Sequence, residues 1–544
     1  MAYLPLSPLD HLSYSFVLSA LLVFLFLSGL LLVTYRLFFH PLAQIPGPRL
    51  AAATQLYEFY YDVICKGQYM NQFEGFHEKY GPVVRISPNE LHCNDPAFID
   101  QIYAGSAGGK KRDKSVFYLN GTQVHGSCFG SVTHDLHRLR RQTLNPFFSK
   151  ASVTRLEPMI REFVDKIYAH VESYAGTNEP CNVSHAFVCM TTDLISQYAF
   201  GWNRNYTGTR SFKPNLTAAM VAGEGTIKLF QHVPFLLPLF ESSPEWVAKL
   251  AAPGSEEYLH YQREVYGTVD DVFEGKIDVR NTEKQKTIFG EILDADLPRE
   301  EKSRQRLKGS AREVIGAGTV TTANALAYAV YYIIATPGVI DKLYAEIINA
   351  FPNATEIPSC KNLENLPYLI TVLHETLRFS CGICTRLPRL AHEPLFYSGT
   401  FKGKHYDITI PPNTAIGMSA QLVHSNPDIF PEPEKFRPER WLDEKGKRHK
   451  ELDGYLLAFS KGTRQCLGIN LAWGEMHMAL ATFVQRFGKR VELFETGPEE
   501  VVYTCMSTHM VVTSGSDCIS WLTYLDDLFE PGRETYNGVQ ILVH

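Results

Sequence analysis

The sequence predicts a mainly α-helical domain with a small β region, preceded by one transmembrane helix near the N-terminus. Long helical patterns recur along the chain, and the most apolar of them spans Glu313–Thr336. Strand patterns are few and short, as in Val83–Cys93. The apolar stretch Leu12–Tyr35 carries no charge. With 544 residues, 45% of them hydrophobic, the chain is long enough to bury a large core.

Charge and cysteine content narrow the classes of function. The net charge of −6 gives no reason to expect nucleic-acid binding. The eleven cysteines are an odd number and are scattered without a paired framework. Free thiols in a reducing compartment fit this pattern better than a disulfide scaffold does.

The N-terminal stretch Leu12–Tyr35 is long enough to cross a membrane, since its 24 residues span roughly 36 Å as a helix. A cleaved signal peptide would have a shorter apolar region and a basic start. Asp10 precedes the stretch, whereas Arg36 and Arg49 follow it, which predicts an outside N-terminus and a cytosolic body. We expect a tail at residues 1–11, an anchor at 12–35, a proline-rich hinge at 36–48 and one body at 49–544.

The first half of the body alternates short strands, loops and helices. Val83–Cys93 reads as a hairpin that turns at Ser-Pro-Asn, and Ala104–Thr133 reads as a long loop. A helix begins at His134, and two more helical patterns span Leu156–Tyr174 and Asn182–Phe200.

Two segments before the most apolar helix differ in polarity. Phe230–Leu239 is apolar but interrupted by prolines, and beside a membrane it would rest on lipid. Arg280–Arg312 is highly charged, so we expect it at the surface, with a connector around Asp296–Pro298.

The helix Glu313–Thr336 is apolar nearly all round, which predicts a central, buried element. It contains Gly-Ala-Gly-Thr-Val-Thr-Thr at Gly316–Thr322. Small residues and threonines favour a helix that passes close to a ligand and is locally distorted.

A second helix, Tyr368–Phe379, carries Glu375 and Arg378 on one face, and Arg440 follows about sixty residues later. A surface ion pair worth a few tenths of a kcal/mol is one interpretation. Arg386–Arg389 and Ile408–Thr414 read as strand and turn.

The segment Phe459–Gly468 holds one cysteine in an unusual setting. Gly462 and Gly468 let the backbone turn tightly, and Arg464 is placed to neutralise an acid. Cys466 precedes the helical pattern Leu467–Phe487, so its thiolate is favoured by the helix N-terminus. This setting suits a buried metal ligand, although a structural core cysteine is the alternative.

The F-x-x-G-x-R-x-C-x-G spacing of this segment resembles the haem-binding loop of the cytochrome P450 family. Ala317, Gly318, Thr321 and Thr322 match the family's oxygen-side helix. The E-x-x-R pair with its downstream arginine, the anchor and the hinge also match in order. The chain is most similar to fungal microsomal members of the trichodiene-oxygenase-like group, judged by Leu387-Pro-Arg, the Gly-Ala-Gly-Thr helix and Phe436-Arg-Pro-Glu-Arg-Trp.

The resemblance implies the cytochrome P450 fold and a haem b whose iron is bound by the thiolate of Cys466. Thr321 is the implied catalytic hydroxyl, which guides a proton to dioxygen, but Val320 replaces the acid that the family has beside it. Glu375, Arg378 and Arg440 are the implied structural triad that braces the cysteine loop. Cofactor-binding residues implied with Cys466 are Arg464, Phe459, Gly462, Gly468, Arg141, His137 and Arg389.

Two of those residues carry open questions. His137 stands where the family often has tryptophan, and it shares a helix face with Arg141. A solvated basic face is the alternative for this pair. The family layout also implies that the loop Ala104–Thr133 caps the substrate pocket and that Cys381–Thr385 lines it.

The implied function is oxidation of an apolar small molecule, terpenoid or polyketide-like, at the endoplasmic reticulum membrane. Electrons would come from NADPH through a separate cytochrome P450 reductase, docked on a basic patch with Lys461, Lys489 and Arg490. Val320 leaves a haem-thiolate isomerase or dehydratase as one alternative, and a non-catalytic haem- or lipid-binding membrane protein as another.

The C-terminal tail contains a change in composition. Val501–Thr504 reads as a strand, and Asp526–Val543 resembles the family's C-terminal hairpin. Cys505–Tyr524, between them, is expected to be an atypical insertion or a retained intron translated in frame.

Overall fold

The computed structural model describes residues 8–105, 107–251, 255–280, 286–352, 358–498 and 538–544. Over these residues the predicted class is confirmed, because helices dominate and the strands are short. The α-helices, α1 to α20 in chain order, are Pro8–Thr34, Arg49–Ala53, Leu56–Phe59, Phe73–Tyr80, Ile99–Ile102, Val116–Asn120, His134–Leu144, Lys150–Glu172, Val183–Phe200, Thr217–His232, Leu236–Ser242, Glu245–Ala251, Ser255–Phe273, Ile288–Asp294, Arg304–Ala335, Val339–Ala350, Cys360–Leu363, Pro367–Ser380, Ala420–His424 and Ile469–Phe487. The strands, β1 to β10, are Val83–Ser87, Glu90–Cys93, Arg112–Lys114, Cys181–Asn182, Arg389–Ala391, Leu395–Phe401, Lys404–Ile410, Ala415–Gly417, Val491–Leu493 and Gln540–Val543.

Helix α1 continues into a π-helical turn at Tyr35–Phe39. The segment Tyr14–Phe39 is long and apolar enough to cross a membrane, and its most apolar window is wholly unburied. The predicted transmembrane helix therefore has the length and the exposure that a lipid-facing element needs.

The proline-rich hinge is fixed to the body. The backbone N–H of Arg85 in β1 donates to the carbonyl of Pro46 at 2.8 Å, and the Arg85 guanidinium donates to the carbonyl of Arg36. A Cβ atom on Gly47 would lie 2.2 Å from the Arg85 carbonyl oxygen, so only glycine allows this contact. The exit of the anchor is thereby held against the edge of the sheet.

The strands form three sheets among the described residues, with orders β1-β2-β8-β5-β3, β4-β10-β9 and β6-β7. The predicted hairpin at Val83–Cys93 is present as the antiparallel pair β1–β2. In the second sheet, β10 lies between β4 and β9. Most of the predicted C-terminal hairpin lies outside the described residues, as do the predicted strand Val501–Thr504 and the predicted insertion Cys505–Tyr524.

The prediction that Ala104–Thr133 is one long loop is wrong in part. It contains β3 and the helix α6, which Ser115 caps by accepting from the Tyr118 N–H. Strand β3 forms only because it pairs with β5, with Lys114 opposite Arg389, and that partner lies far away in the sequence.

The prediction that Arg280–Arg312 lies at the surface is also wrong in part. Arg306 and Arg312 are buried, because carboxylates compensate their charge. Arg306 pairs with Glu301, which also binds Arg140, and Arg312 pairs with Glu241.

Helix α15 lies at the centre of the largest hydrophobic core, in contact with α9, α13, α18 and α20. It begins at Arg304, earlier than the apolar pattern predicts, because the Ser303 side chain caps it by accepting from the Arg306 N–H. Nine of the cysteines are described, and none of these nine is in a disulfide bond, as the scattered pattern predicts.

Candidate active site

The loop Phe459–Gly468 is closed by a hydrogen bond from the Cys466 backbone N–H to the Phe459 carbonyl, 2.9 Å long. The Gly468 N–H donates to the thiol sulfur of Cys466. Helix α20 begins just after, with Gly468 as its N-cap, two residues later than the sequence pattern predicts. The thiol is therefore held at the start of a long helix by a backbone donor, which favours its anionic form.

Cys466 is the one exposed cysteine among the nine described. Burial nevertheless raises the pKa of its thiol, and the Gly468 N–H and Arg141 lower it by less. The Cys466 side chain is therefore exposed on one side and surrounded by the chain on the others. A thiolate that binds a large prosthetic group needs this kind of surrounding.

The two glycines of the loop have different roles. Gly462 has a φ of 71°, and a Cβ atom there would lie 2.2 Å from the Tyr103 carbonyl oxygen. Gly468 has a φ of −82°, and a Cβ atom on it would meet no atom within 4 Å. Only Gly462 is required by the fold of the chain itself. The open space beside Gly468 fits a flat group lying against Cys466.

Three arginines predicted to bind the cofactor donate to backbone carbonyls. Arg464 donates to the carbonyls of Ser131 and Val132 at 2.7 and 2.8 Å. Arg389 donates to the Leu387 carbonyl at 3.1 Å, and Arg141 donates to the Gln465 carbonyl at 2.5 Å. Within the described part of the chain, none of the three forms an ion pair with a carboxylate. The sequence predicts that Arg464 neutralises an acid, but burial lowers the pKa of Arg464 and, among the described residues, Asp113 raises it without forming an ion pair with Arg464.

Lys114, which the sequence analysis did not single out, joins this group. Its Nζ donates to the Phe129 carbonyl at 2.7 Å, and the side chain is buried. Burial lowers the pKa of Lys114, and the neighbouring Arg389 and Arg464 lower it further. No local pattern marked Lys114, because only the pairing of β3 with β5 brings it to this position.

His137 lies against the same cations. Burial lowers its pKa to about 2, with further contributions from Arg464, Lys114 and Arg141. The imidazole is therefore neutral at physiological pH, with one ring nitrogen able to donate a hydrogen bond and the other able to accept one. A solvated basic face does not describe His137, since its side chain is buried.

Largely buried cations that form no ion pair are costly unless an anion joins them. Haem carries two propionate groups, and these would supply negative charge here. Together with the exposed side of Cys466 and the open space beside Gly468, the cations make the site fit a haem. We name Arg464, Arg389, Arg141 and Lys114 the cation cluster.

Helix α15 has small and hydroxylated residues on a face that is partly exposed. Ala317 is exposed and Thr321 half-buried on a helix that is otherwise largely buried, and residues four apart share a face. The Thr321 hydroxyl donates to the Ala317 carbonyl at 2.9 Å. Helix α15 is continuous here, so the expected local distortion is not observed. Gly318 instead permits close packing, because a Cβ atom there would lie 2.6 Å from the Ile195 side chain.

Glu375 is at the centre of a buried ion-pair network. It accepts from Arg378 Nε at 2.9 Å, Arg440 Nε at 3.0 Å and Trp441 Nε1 at 2.8 Å. The surface-pair interpretation is therefore wrong, since Glu375 has no exposed side-chain surface. Arg378 also donates to the His424 carbonyl, and the His424 ring accepts from the Leu457 N–H at 2.9 Å. This chain of bonds ends two residues before Phe459, where the cysteine loop begins.

A second buried network lies beside the segment Cys381–Thr385. Arg386 pairs with Glu58 and with Glu90, at 2.6 Å for Glu90, and Lys228 pairs with Asp62 at 3.1 Å. Burial raises the pKa of Glu58 to about 7, against the opposing effect of Arg386. Thr385 lies 3.4 Å from the Tyr118 hydroxyl of α6. The network joins the N-terminal helices to the predicted pocket segment, and the sequence analysis missed it because its members are far apart in the chain.

The predicted docking patch is charge-balanced. Lys461 pairs with Asp100 at 3.4 Å, Lys489 pairs with Asp341, and Arg490 pairs with Glu172 at 2.7 Å. These cations therefore do not form a surface of unbalanced positive charge.

Comparison with known proteins gives one consistent answer. The profile of the family described as Cytochrome P450 matches residues 48–510. A cytochrome P450 monooxygenase of Ascocoryne sarcoides is 38% identical over 85% of this chain and 90% of its own length. The tryptophan 6-hydroxylase of Fusarium equiseti is 36% identical over 88% of this chain and 92% of its own. The conidiogenone synthase of Penicillium rubens is 36% identical over 85% and 90%.

Proposed function

Since this chain belongs to the cytochrome P450 family and is a haem-thiolate monooxygenase, we propose that it oxidises an apolar small molecule of fungal secondary metabolism. The observation that carries this proposal is the exposed side of Cys466 together with a cation cluster that forms no ion pair among the described residues. The relatives named above support the general role, because they are monooxygenases, hydroxylases or synthases of fungi.

In this proposal Cys466 is the iron ligand, and Phe459, Gly462 and Gly468 shape the loop that presents it. Arg464, Arg389, Arg141 and Lys114 bind the propionates, with neutral His137 beside them. A bound haem supplies dioxygen activation and transfer of one oxygen atom, with the thiolate donating electron density to the iron. Thr321 is the hydroxyl on the opposite helix, and because it donates to Ala317, its oxygen is free to accept a hydrogen bond.

We keep the substrate class at apolar, terpenoid or polyketide-like. The relatives are named for different reactions: one for hydroxylation of tryptophan and another for synthesis of conidiogenone. Their similarity to this chain is nearly equal, so neither name selects the substrate.

The proposed location is the endoplasmic reticulum membrane, with the body in the cytosol and NADPH-cytochrome P450 reductase as the electron donor. Besides α1, the helices α11 and α12 and the residue before α11 expose apolar side chains, which are Phe235, Leu239, Trp246 and Leu250. This second apolar surface supports a body that rests on the lipid. Apolar substrates dissolved in the membrane would reach the protein from this side.

The cofactor assignment is tested by the reduced carbon-monoxide spectrum of full-length protein. We expect the wild type to show the red-shifted Soret band of a thiolate-ligated haem and Cys466→Ala to lose it. Cys181→Ala, which removes a buried thiol of β4, serves as the matched control and keeps the band. The same red-shifted band in wild type and Cys466→Ala would rule out Cys466 as the ligand.

The reaction class is tested by co-expression with a reductase in a host supplied with candidate apolar scaffolds. We expect oxidised products that require both NADPH and the reductase. A product that forms without the reductase would instead support the isomerase or dehydratase alternative.

A further inference from the structure

Three side chains of the types that bind metal ions meet between the N-terminal helices and α10. Glu58 of α3 and Asp62 of the π-helical turn Tyr60–Ile64 are four residues apart on one continuous helical segment, so they share a face. His232 is the last residue of α10, which packs on this segment. One ligand atom of each side chain lies within 4.8 Å of the other two, which brings the set within reach of a single ion.

Each of the three side chains has a buried polar atom without a hydrogen-bond partner among the described residues. The atoms are Glu58 Oε2, both carboxylate oxygens of Asp62 and His232 Nε2. Glu58 is 1% exposed and Asp62 is 2% exposed, so bulk solvent does not replace the missing partners. Buried polar atoms without partners are rare in folded proteins, because leaving them unpaired costs free energy. Four such atoms in one place therefore point to a bound group.

Neighbouring polar groups hold the two carboxylates in place. Glu58 Oε1 accepts from Arg386 and, at 3.3 Å, from Gln231 Nε2, which leaves Oε2 for another partner. Lys228 Nζ lies 3.1 Å from Asp62 Oδ2, as an ion pair without the geometry of a hydrogen bond. Carboxylates that bind metal ions are oriented by outer contacts of this kind.

The charges of this network do not cancel among the described residues. Glu58, Asp62 and Glu90 supply three carboxylates, whereas Arg386 and Lys228 supply two cations. With every group ionised, one negative charge is left without a partner. An uncompensated buried charge is costly, so the network favours the binding of a cation.

The ligand types select the kind of cation. Carboxylate oxygens only accept hydrogen bonds, and so does the imidazole Nε2 when the proton is on Nδ1, so one water molecule with two hydrogens cannot satisfy all four atoms. Magnesium and calcium prefer oxygen ligands alone, whereas an imidazole nitrogen favours a transition metal. Zinc binds both histidine nitrogen and carboxylate oxygen, and it accepts three protein ligands with a water in the fourth position.

We propose that Glu58, Asp62 and His232 bind one zinc ion, which fastens the end of α10 to the N-terminal helices. Ligands of a tetrahedral zinc ion lie about 3.4 Å apart, so small rotations of the three side chains close the site. None of the three belongs to the site around Cys466. The exposed Phe235 and the helix α11 follow His232 closely, so the ion also fixes where this apolar surface begins.

The metal content of haem-loaded, full-length protein tests the proposal. After dialysis against micromolar zinc and then against zinc-free buffer, we expect one zinc per protein in addition to the haem iron. In His232→Phe the zinc dissociation constant should rise about 100-fold or more, because loss of even an outer contact costs about 10–100-fold. The phenyl ring can keep the edge contacts that the imidazole makes with Phe59 and Phe117, so this variant should fold.

His260→Ala is the matched control. His260 is exposed and lies 3.9 Å from a carboxylate oxygen of Glu245 and 3.4 Å from one of Glu264, so it has the same ligand types without burial. This variant should bind zinc with wild-type affinity. The proposal is overturned if the wild type binds no zinc, if His232→Phe binds it as tightly as the wild type, or if both variants lose it alike.

X-ray absorption at the zinc edge decides the question on the wild type, even if His232→Phe does not fold. We expect nitrogen and oxygen ligands alone, at about 2.0–2.2 Å. A sulfur ligand at about 2.3 Å would place the ion on cysteines and overturn the proposal. Cys466→Ala should lose the reduced carbon-monoxide band and keep its zinc, so failure of the haem assignment and failure of the zinc site are distinguishable.

Discussion

At the scale of single residues, Lys114 shows how an unpaired charge can indicate a ligand. It is buried, it donates to a backbone carbonyl, and neighbouring arginines lower its pKa together with burial. A chain that folded for its own stability alone would place an apolar residue there. The lysine is explained if an anionic group of the cofactor completes the site.

Replacement of Lys114 by methionine should therefore have opposite effects on the two forms of the protein. We expect haem-free Lys114→Met to be more stable by on the order of 1–4 kcal/mol, since a buried unpaired cation is removed. We expect haem affinity to fall about tenfold or more, since a charged hydrogen bond to a propionate is lost. Urea unfolding of the haem-free protein and haem transfer to excess apomyoglobin measure the two effects.

Lys111→Met is the control for this pair of measurements, because Lys111 is an exposed lysine that pairs with exposed Asp135. It should change neither stability nor haem transfer. Unchanged haem transfer in Lys114→Met would remove Lys114 from the cation cluster.

Glu475 gives a pH prediction of definite sign. Its folded-state pKa, about 8, lies above the ordinary value of 4.5 because burial disfavours the carboxylate. The stabilising contribution of the protonated acid is complete below pH 4.5 and is lost as pH rises through 8. Between pH 4.5 and 8, the free energy of unfolding of the wild type should fall relative to that of Glu475→Gln by at most about 1.4 kcal/mol per pH unit.

Thermal or urea unfolding at a series of pH values measures this difference. Glu451→Gln, at an exposed position, should follow the wild type throughout. If stability depends on pH in the same way in the wild type and in Glu475→Gln, the pKa of Glu475 is not raised in the folded protein.

At the scale of elements, the Glu375 network fastens α18 to the segment Pro438–Trp441. Its carboxylate accepts from two arginines and one tryptophan, and no side-chain surface of Glu375 remains exposed. The bonds through Arg378 and His424 extend this support to Leu457, just before the cysteine loop. The position of Cys466 thus depends on an ion pair on another helix.

Glu375→Ala should destabilise the protein by about 3–5 kcal/mol, because it leaves Arg378 and Arg440 buried without a counter-charge. Haem content of the purified protein should fall with it. Equilibrium unfolding and haem-to-protein ratio are the measurements.

The exposed pair Lys435–Glu432, in the same stretch of chain, provides a matched control. Lys435→Ala should have no measurable effect, because solvent screens an exposed pair. A similar loss in both variants would mean that the segment is sensitive to any change of charge.

At the scale of the whole molecule, two separate apolar surfaces are available to a membrane. One is the helix α1 with its continuation to Phe39, and the other is formed by α11 and α12. The hinge is fixed to β1, so the anchor leaves the body at a set position. Such an arrangement favours one orientation of the body on the lipid surface.

A variant that lacks residues 1–40 should still bind phospholipid vesicles, more weakly than the full chain. Adding Leu239→Glu and Leu250→Glu should abolish that binding, since both side chains are exposed and the surface would become charged. Co-sedimentation with vesicles measures the binding. Leu139→Glu, an exposed leucine on α7, is the control and should leave binding unchanged. Equal binding by all three truncated variants would mean that α11 and α12 do not contact lipid.

Features that are encoded in a few adjacent residues could be predicted from the amino-acid sequence. The spacing around Cys466, the periodicity of α15 and the apolar run of α1 are local patterns, and each predicted an element that the structure contains. The hairpin Val83–Cys93 was predictable for the same reason, since its turn and both strands are contiguous.

Only the tertiary structure decided which distant residues meet. Lys114 reaches the cation cluster through the pairing of β3 with β5, and Glu475 reaches Thr322 through the packing of α20 on α15. Arg306 and Arg312 look like surface residues in the sequence but are buried, because Glu301 and Glu241 compensate them. Burial, and with it the pKa of each group, depends on neighbours that are remote in the chain.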